Sequence, residues 1–360
     1  MRVAFFAPLK APTHPVPSGD REMARNLMAM LAREGAEVIL ASELRLRDGS
    51  GDTANQSRLR ADASAEVERL VTELPDDVAL WVSYHNYYKA PDLIGPEVAR
   101  RRGIPYVLIE SSRARKRLTG PWAGFAAAAE AASDAADVIF YPTEQDRETL
   151  ERDRSAGQIL AQLPPFLARD DLPAPGRPVP GRLLAAGMMR PGDKMASYRL
   201  IAATLPALSH PGWHLQIAGD GPAREAVHTL FAPCAGRVSL LGQLDRAALE
   251  TAYAEADLFL WPGVNEAFGM VYLEAQAHGV PVVAQDRPGV RDVVAEPSKN
   301  PPVPTGAAGL ALRCDWLLED PARRQEAGRT ARAAIRAHHL LPAAARRFWA
   351  TVTPLLEVRA

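Results

Sequence analysis

The sequence predicts an α/β chain with two parallel, doubly wound sheets in succession. Three observations carry this. Short apolar runs such as Arg2–Ala7, Leu183–Ala186 and Leu258–Trp261 recur with amphipathic helical stretches between them, and this alternation of strand and helix is the signature of parallel sheets. The 360 residues are enough for two domains. Six prolines between Pro164 and Pro180, with Gly176 among them, interrupt the pattern near its middle, where neither a helix nor a central strand can continue. The boundaries expected from this are a first domain over 1–165, a Pro-rich linker over 166–181, a second domain over 182–338, and a last helix over 339–360 that returns to the first domain.

In the first half, Arg2–Ala7 is a buried strand. A proline-rich loop leads to Pro17-Ser18-Gly19, and Ser18 opens a helix whose apolar face is Met23, Leu27, Met30 and Leu31. No G-x-G-x-x-G follows the first strand, which argues against a dinucleotide-binding dehydrogenase. Residues 43–62 are polar and charged and read as a mobile excursion. Val78–Tyr84 is a strand with His85 at its carboxyl end, and Tyr106–Ile109 another, followed by Glu110. Both side chains stand on the side where open α/β sheets bind ligands. Asp137–Tyr141 closes the half as its last strand. Four cations in five residues, Arg113 to Arg117, precede Trp122. Such a run suits either a solvated surface or contact with an anionic membrane.

In the second half, Leu183–Ala186 is a strand, and Arg190 and Lys194 follow it. Ser197 is placed as the cap of the next helix. Gly219-Asp220-Gly221-Pro222 is a tight strand-to-helix turn, and Asp245 caps a further helix. Residues 256–294 then read strand, loop, helix, strand. Pro262 and Gly263 stop the strand, Glu266 lies in the loop, Gly269 allows a sharp entry, and Met270–His278 is a helix containing Glu274, ended by Gly279. The backbone N–H groups of Ala267, Phe268, Gly269 and Met270 lie at a helix N-terminus, a natural seat for a phosphate. Carboxylates beside them accept hydrogen bonds from sugar hydroxyls. A nucleotide sugar presents both kinds of group.

The block PGVNEAFGMVYLEAQAHGVPVVA resembles the E-x7-E signature of retaining glycosyltransferases of family 4, which have the GT-B fold of two Rossmann-like domains facing across a cleft. The resemblance implies transfer of a hexosyl group from a UDP- or GDP-sugar to an acceptor hydroxyl, with retention of configuration. It implies donor-binding roles for Gly19, Arg190, Lys194, residues 267–270, Glu266 and Glu274. In that family the strand ending at Ile109 commonly leads to a histidine facing the anomeric centre; Glu110 stands there instead, and His85 is the neighbouring candidate. The acceptor is left open between a lipid and a cell-envelope glycan. A nucleotide-sugar epimerase of the same fold and a non-catalytic nucleotide-binding protein remain as alternatives.

The bulk numbers fit these expectations. A net charge of −1 gives no support to nucleic-acid binding. Cys234 and Cys314 are the two cysteines and read as reduced thiols of a cytoplasmic protein. No signal peptide or membrane span is expected, so any membrane contact would be peripheral. No Asp-x-Asp occurs, so a metal-bridged diphosphate is not expected, and no cofactor is needed beyond the donor as co-substrate.

Overall fold

The structure, a computed structural model, describes residues 1–16 and 18–359. Pro17 of the Pro17-Ser18-Gly19 loop therefore lies outside the described residues. The chain forms two compact units, one of residues Met1–Pro164 together with the segment from Leu341, the other Pro165–Leu340.

The first unit is a six-stranded sheet of β1 (Arg2–Phe6), β2 (Glu37–Ser42), β3 (Val78–Asn86), β4 (Tyr106–Ser111), β5 (Val138–Tyr141) and β6 (Ile159–Gln162), in the order β2-β1-β3-β4-β5-β6. Every pairing is parallel. Val3 to Phe6 and Leu80 to Val82 have no exposure at all, as expected for strands covered by helices on both faces. The helix Leu341–Arg359 packs in this unit, with Phe348 stacked on Phe140 at 5.0 Å.

The second unit is a five-stranded parallel sheet of β7 (Arg182–Ala186), β8 (His214–Ala218), β9 (Val238–Gly242), β10 (Leu258–Leu260) and β11 (Val282–Val283), in the order β11-β10-β7-β8-β9.

Several elements differ from the sequence expectation. Tyr141 does not end the first sheet, because β6 adds an outer strand beside β5. Residues 43–62 are not an excursion. Leu46 and Asp48 are buried, and Asp52 caps the helix Thr53–Glu73 by accepting from the N–H groups of Ala54 and Asn55. Gln56, Leu59, Ala63, Val67 and Leu70 form its buried stripe, a three-and-four spacing diluted in the sequence by the charges around it. Ser197 is not a cap: it is buried inside the helix Asp193–Thr204 and accepts from the Val264 N–H at 3.2 Å. The Pro-rich stretch after Pro165 is tied along the second unit. Leu167 N–H donates to His339 O, Gly176 N–H to His278 O and Val179 N–H to Glu255 O.

Candidate functional sites in the two units

In the second unit the chain lays β8 and β9 on one side of β7, then returns to place β10 and β11 on the other. The gap between the carboxyl ends of β7 and β10 is therefore the topological switch point, where such sheets bind ligands. Two loops leave the sheet there: Gly187–Gly192 after β7, and Trp261–Gly269 after β10. The structure ties them together. Lys194 makes an ion pair with Glu266 Oε1, and Trp261 Nε1 donates to the same oxygen at 3.0 Å. Asn265 Nδ2 donates to Asp193 Oδ1 at 2.8 Å. The Lys194 ammonium also lies 5.3 Å from the Trp261 ring centroid, within cation–π range. Both contacts to Glu266 fall on Oε1, which leaves Oε2 free to accept from a ligand.

The backbone is shaped for this approach. A Cβ on Gly187 would lie 2.7 Å from the Trp261 ring. The Gly219-Asp220-Gly221 turn holds the β7 loop from below: Met189 N–H donates to Asp220 O, and side chains at Gly219 and Gly221 would strike Gly187 O and Met189 O. Gly269, at φ +74, opens the helix Met270–Ala277 with no side-chain cap, so the orphan N–H groups of its first turn are open to an anion. Arg190 is exposed in the same β7 loop and has no ion-pair partner among the described residues. Glu274, further along the helix, accepts from the Tyr253 hydroxyl at 2.8 Å. Burial raises the Glu274 carboxyl pKa, and the Tyr253 hydrogen bond opposes this.

In the first unit the corresponding switch point lies between β1 and β3, because β2 is on one side of β1 and β3 to β6 on the other. His85 is the last residue but one of β3, at φ +67, and Glu110 the last but one of β4, at φ +60. A left-handed backbone at such residues costs on the order of 1–3 kcal/mol each and marks functional sites. The structure brings the two together and adds Asp20, which the sequence reading did not single out. His85 Nδ1 lies 3.3 Å from Asp20 Oδ1 and 3.9 Å from Glu110 Oε1. Nδ1 is buried without a made hydrogen bond, so its attraction to the two carboxylates is that of an ion pair. Burial pulls the His85 pKa down, but the Glu110 and Asp20 carboxylates outweigh it and the net shift is upward. Burial raises Glu110, with His85 opposing. Asp20 is held low, first by its contact with His85.

Gly19 is exposed at the start of the helix Gly19–Ala32, capped by Ser18. A Cβ there would meet nothing within 4 Å, so the unit itself does not require glycine. The basic run is mostly consumed internally. Arg113 is buried against Glu130 (2.9 Å) and Asp134 (2.6 Å), and Arg115 pairs with Asp153. Arg117 lies over Tyr88 and Trp122. Among the described residues no helix is long and apolar enough to cross a membrane.

Residues 180–320 match the family model described as glycosyl transferases group 1. A GDP-mannose-dependent alpha-mannosyltransferase of Mycolicibacterium smegmatis is 36% identical over 120 residues, covering 33% of this chain and 28% of that protein. A phosphatidyl-myo-inositol mannosyltransferase of the same organism is 36% identical over 143 residues, covering 39% and 36%. The matched part spans about a third of the length of these relatives. Among solved structures, a sucrose-phosphate synthase from Thermosynechococcus elongatus superposes with a TM-score of 0.71 at 20% identity, covering 99% of each chain. Anabaena Alr3699/HepE in complex with UDP superposes with a TM-score of 0.72 at 15% identity, covering 98% of this chain and 100% of that one. The fold is therefore that of the GT-B glycosyltransferases, and the resemblance to family 4 is carried by the second unit.

Proposed function

We propose, from a second unit that matches the group 1 glycosyl transferases, that this chain is a retaining glycosyltransferase using a UDP- or GDP-hexose as donor. The observation that carries the reading is the Lys194–Glu266 pair at the switch point, beside the uncapped helix start at Gly269 and the unpaired Arg190. Lys194 has further N–H donors beyond the one given to Glu266. We assign these, the Arg190 guanidinium and the amides of residues 267–270 to the negative charge that grows as a diphosphate departs. Fixed donors of that kind lower the barrier because they need no reorganisation during the reaction. Glu266 Oε2 accepts from a donor-sugar hydroxyl. The Glu274 oxygen not held by Tyr253 accepts from the ribose.

On this reading the departing phosphate takes the acceptor proton, so no protein base has to sit at the anomeric carbon. His85 and Glu110 are assigned to the acceptor side, with Asp20 holding the imidazolium. Gly19 is assigned to the passage of the donor phosphates. Arg190 and Lys194 supply the neutralising charge, so the reaction is expected to run fully in EDTA.

The test is a panel of UDP- and GDP-sugars with lipid and soluble glycan acceptors, read by release of nucleoside diphosphate and formation of glycosylated product. Glu274→Ala and Lys194→Ala are expected to abolish donor binding and turnover respectively. Absence of donor binding by calorimetry across the panel rejects the transferase reading. Conversion of the donor sugar without any acceptor would instead identify an epimerase.

A further inference from the structure

Beyond His85, the first unit carries a run of rings that the donor chemistry does not use. The His85 and Tyr87 rings lie 4.8 Å apart, Tyr87 and Tyr88 5.7 Å, and Tyr88 and Trp122 5.8 Å. Each ring from Tyr87 onward is half-buried. Two cations are held against this row. Arg117 sits 5.0 Å from the Tyr88 centroid and 5.5 Å from that of Trp122, and Lys89 sits 5.6 and 5.4 Å from the same rings. Burial raises the Tyr87 hydroxyl pKa, and a third cation, Arg47, opposes this.

These cations differ from the rest of the basic run. Arg113 and Arg115 each face carboxylates, but Arg47, Lys89 and Arg117 have no ion-pair partner among the described residues. Arg117 Nε and Trp122 Nε1 are buried donors with no acceptor. A cation–π contact draws a cation to the ring by electrostatic attraction. That is enough to hold a cation in place without consuming its hydrogen-bonding capacity. The platform is also braced from behind. Gly51, at φ +78, packs so closely on Pro121 that a Cβ would lie 2.6 Å from the proline ring. Gln56 Nε2 donates to Pro121 O, and Asp48 N–H to Lys89 O.

We infer that Tyr87, Tyr88 and Trp122, with Lys89 and Arg117, form an acceptor subsite that selects a hydroxylated ring carrying a phosphate ester, the ring resting against the side of an aromatic row whose members meet edge to face and the phosphate meeting the two cations. The inference rests on the transferase reading for the word acceptor, but the binding site itself does not depend on it. A phosphate on a sugar ring and a phosphate in a lipid headgroup share this chemistry.

The test measures binding of glucose and glucose 6-phosphate by calorimetry, and of phosphatidylcholine vesicles with and without phosphatidylinositol by sedimentation. The proteins are the wild-type chain, the Lys89→Gln/Arg117→Gln double variant, and Lys116→Gln, which removes an exposed cation outside the ring row. The wild type is expected to prefer one of the phosphate-bearing probes over its neutral counterpart by about 10-fold or more, as a charge-assisted contact provides. The double variant loses that preference and Lys116→Gln keeps it. A preference for soluble ester assigns the free phosphate, and a preference for the inositol vesicle assigns the headgroup. Equal affinity for charged and neutral probes, binding of neither, or retention of the preference in the double variant overturns the inference. Nucleotide-sugar affinity of the same proteins is measured in parallel. Its absence in the wild type would reject the transferase reading alone, and an unchanged circular-dichroism urea transition of the double variant shows its first unit to be folded.

Discussion

Gly289 gives the sharpest mechanical test of the donor site. It follows β11, and a Cβ built on it would lie 1.9 Å from Ala267 O and 2.6 Å from Glu266 O. An ordinary carbon-to-oxygen contact is about 3.3–3.6 Å, so Gly289→Ala must move the Glu266–Ala267 backbone by roughly 1.5 Å. The obstacle is main chain, and no rotamer change relieves it. The displaced segment bears Glu266 and the amides at the start of the helix Met270–Ala277. A misplacement of about 1 Å costs on the order of 100-fold in rate when the group positions reacting atoms. The overpacking itself should cost about 1–3 kcal/mol of stability. The expected outcome is a folded variant with a lowered urea midpoint, nucleotide-sugar affinity weakened at least tenfold and kcat/KM down by about 100-fold. Gly236→Ala is the control, because a Cβ there meets nothing within 4 Å. Calorimetry with the nucleotide sugar and a circular-dichroism urea titration decide it. Wild-type donor affinity in folded Gly289→Ala would refute the assignment of residues 266–270 to the donor phosphates.

Four further outcomes are expected. Lys194→Ala should change stability by no more than about 1 kcal/mol, because the pair is partly solvated, yet lower kcat by about 100-fold or more; an unchanged kcat removes Lys194 from the reaction. Tyr253→Phe leaves Glu274 without its hydroxyl donor and should cost about 1–3 kcal/mol. Its donor affinity should fall less than that of Glu274→Ala, and the reverse order in calorimetry would show that Glu274 serves only the fold. The His85 pKa is raised above its ordinary 6.5. The stability it contributes is then complete below that value and lost as pH rises through the higher folded value. His85→Gln should flatten the urea midpoint across that window, with Asp146 as the further charged neighbour besides Asp20 and Glu110; an unaltered pH slope would mean that the imidazolium is not held by these carboxylates. Gly19→Ala should leave the melting temperature unchanged or raised, since its Cβ has open space, while weakening the donor; equal donor affinity would take Gly19 out of the phosphate path.

What could be read from the sequence was what is local. The strand, loop and helix around Glu266 and Glu274 are contiguous, and their stop and start signals, Pro262, Gly269 and Gly279, act on neighbouring residues. Lys194 was legible because only one short loop separates it from β7, at the start of the helix Asp193–Thr204. Asp20 was not, because it meets His85 only once β1 and β3 lie side by side, which depends on strand order. The one available signal was its place just after the Ser18 cap. Trp261 read simply as the end of a strand, yet its indole N–H fixes Glu266. The Arg113–Arg117 run suggested a free basic surface because Glu130, Asp134 and Asp153, which neutralise Arg113 and Arg115, are remote in sequence. Ser197 matched a cap by composition, but the helix begins at Asp193 and turns that serine inward to Val264.

A crystal structure of the chain with a nucleoside diphosphate would decide most. The pyrophosphate is expected on the amides of residues 267–270, within hydrogen-bond reach of Lys194 and Arg190, with the ribose on Glu274. A nucleotide bound anywhere else, or a pyrophosphate out of reach of both cations, contradicts the donor site assigned to the second unit.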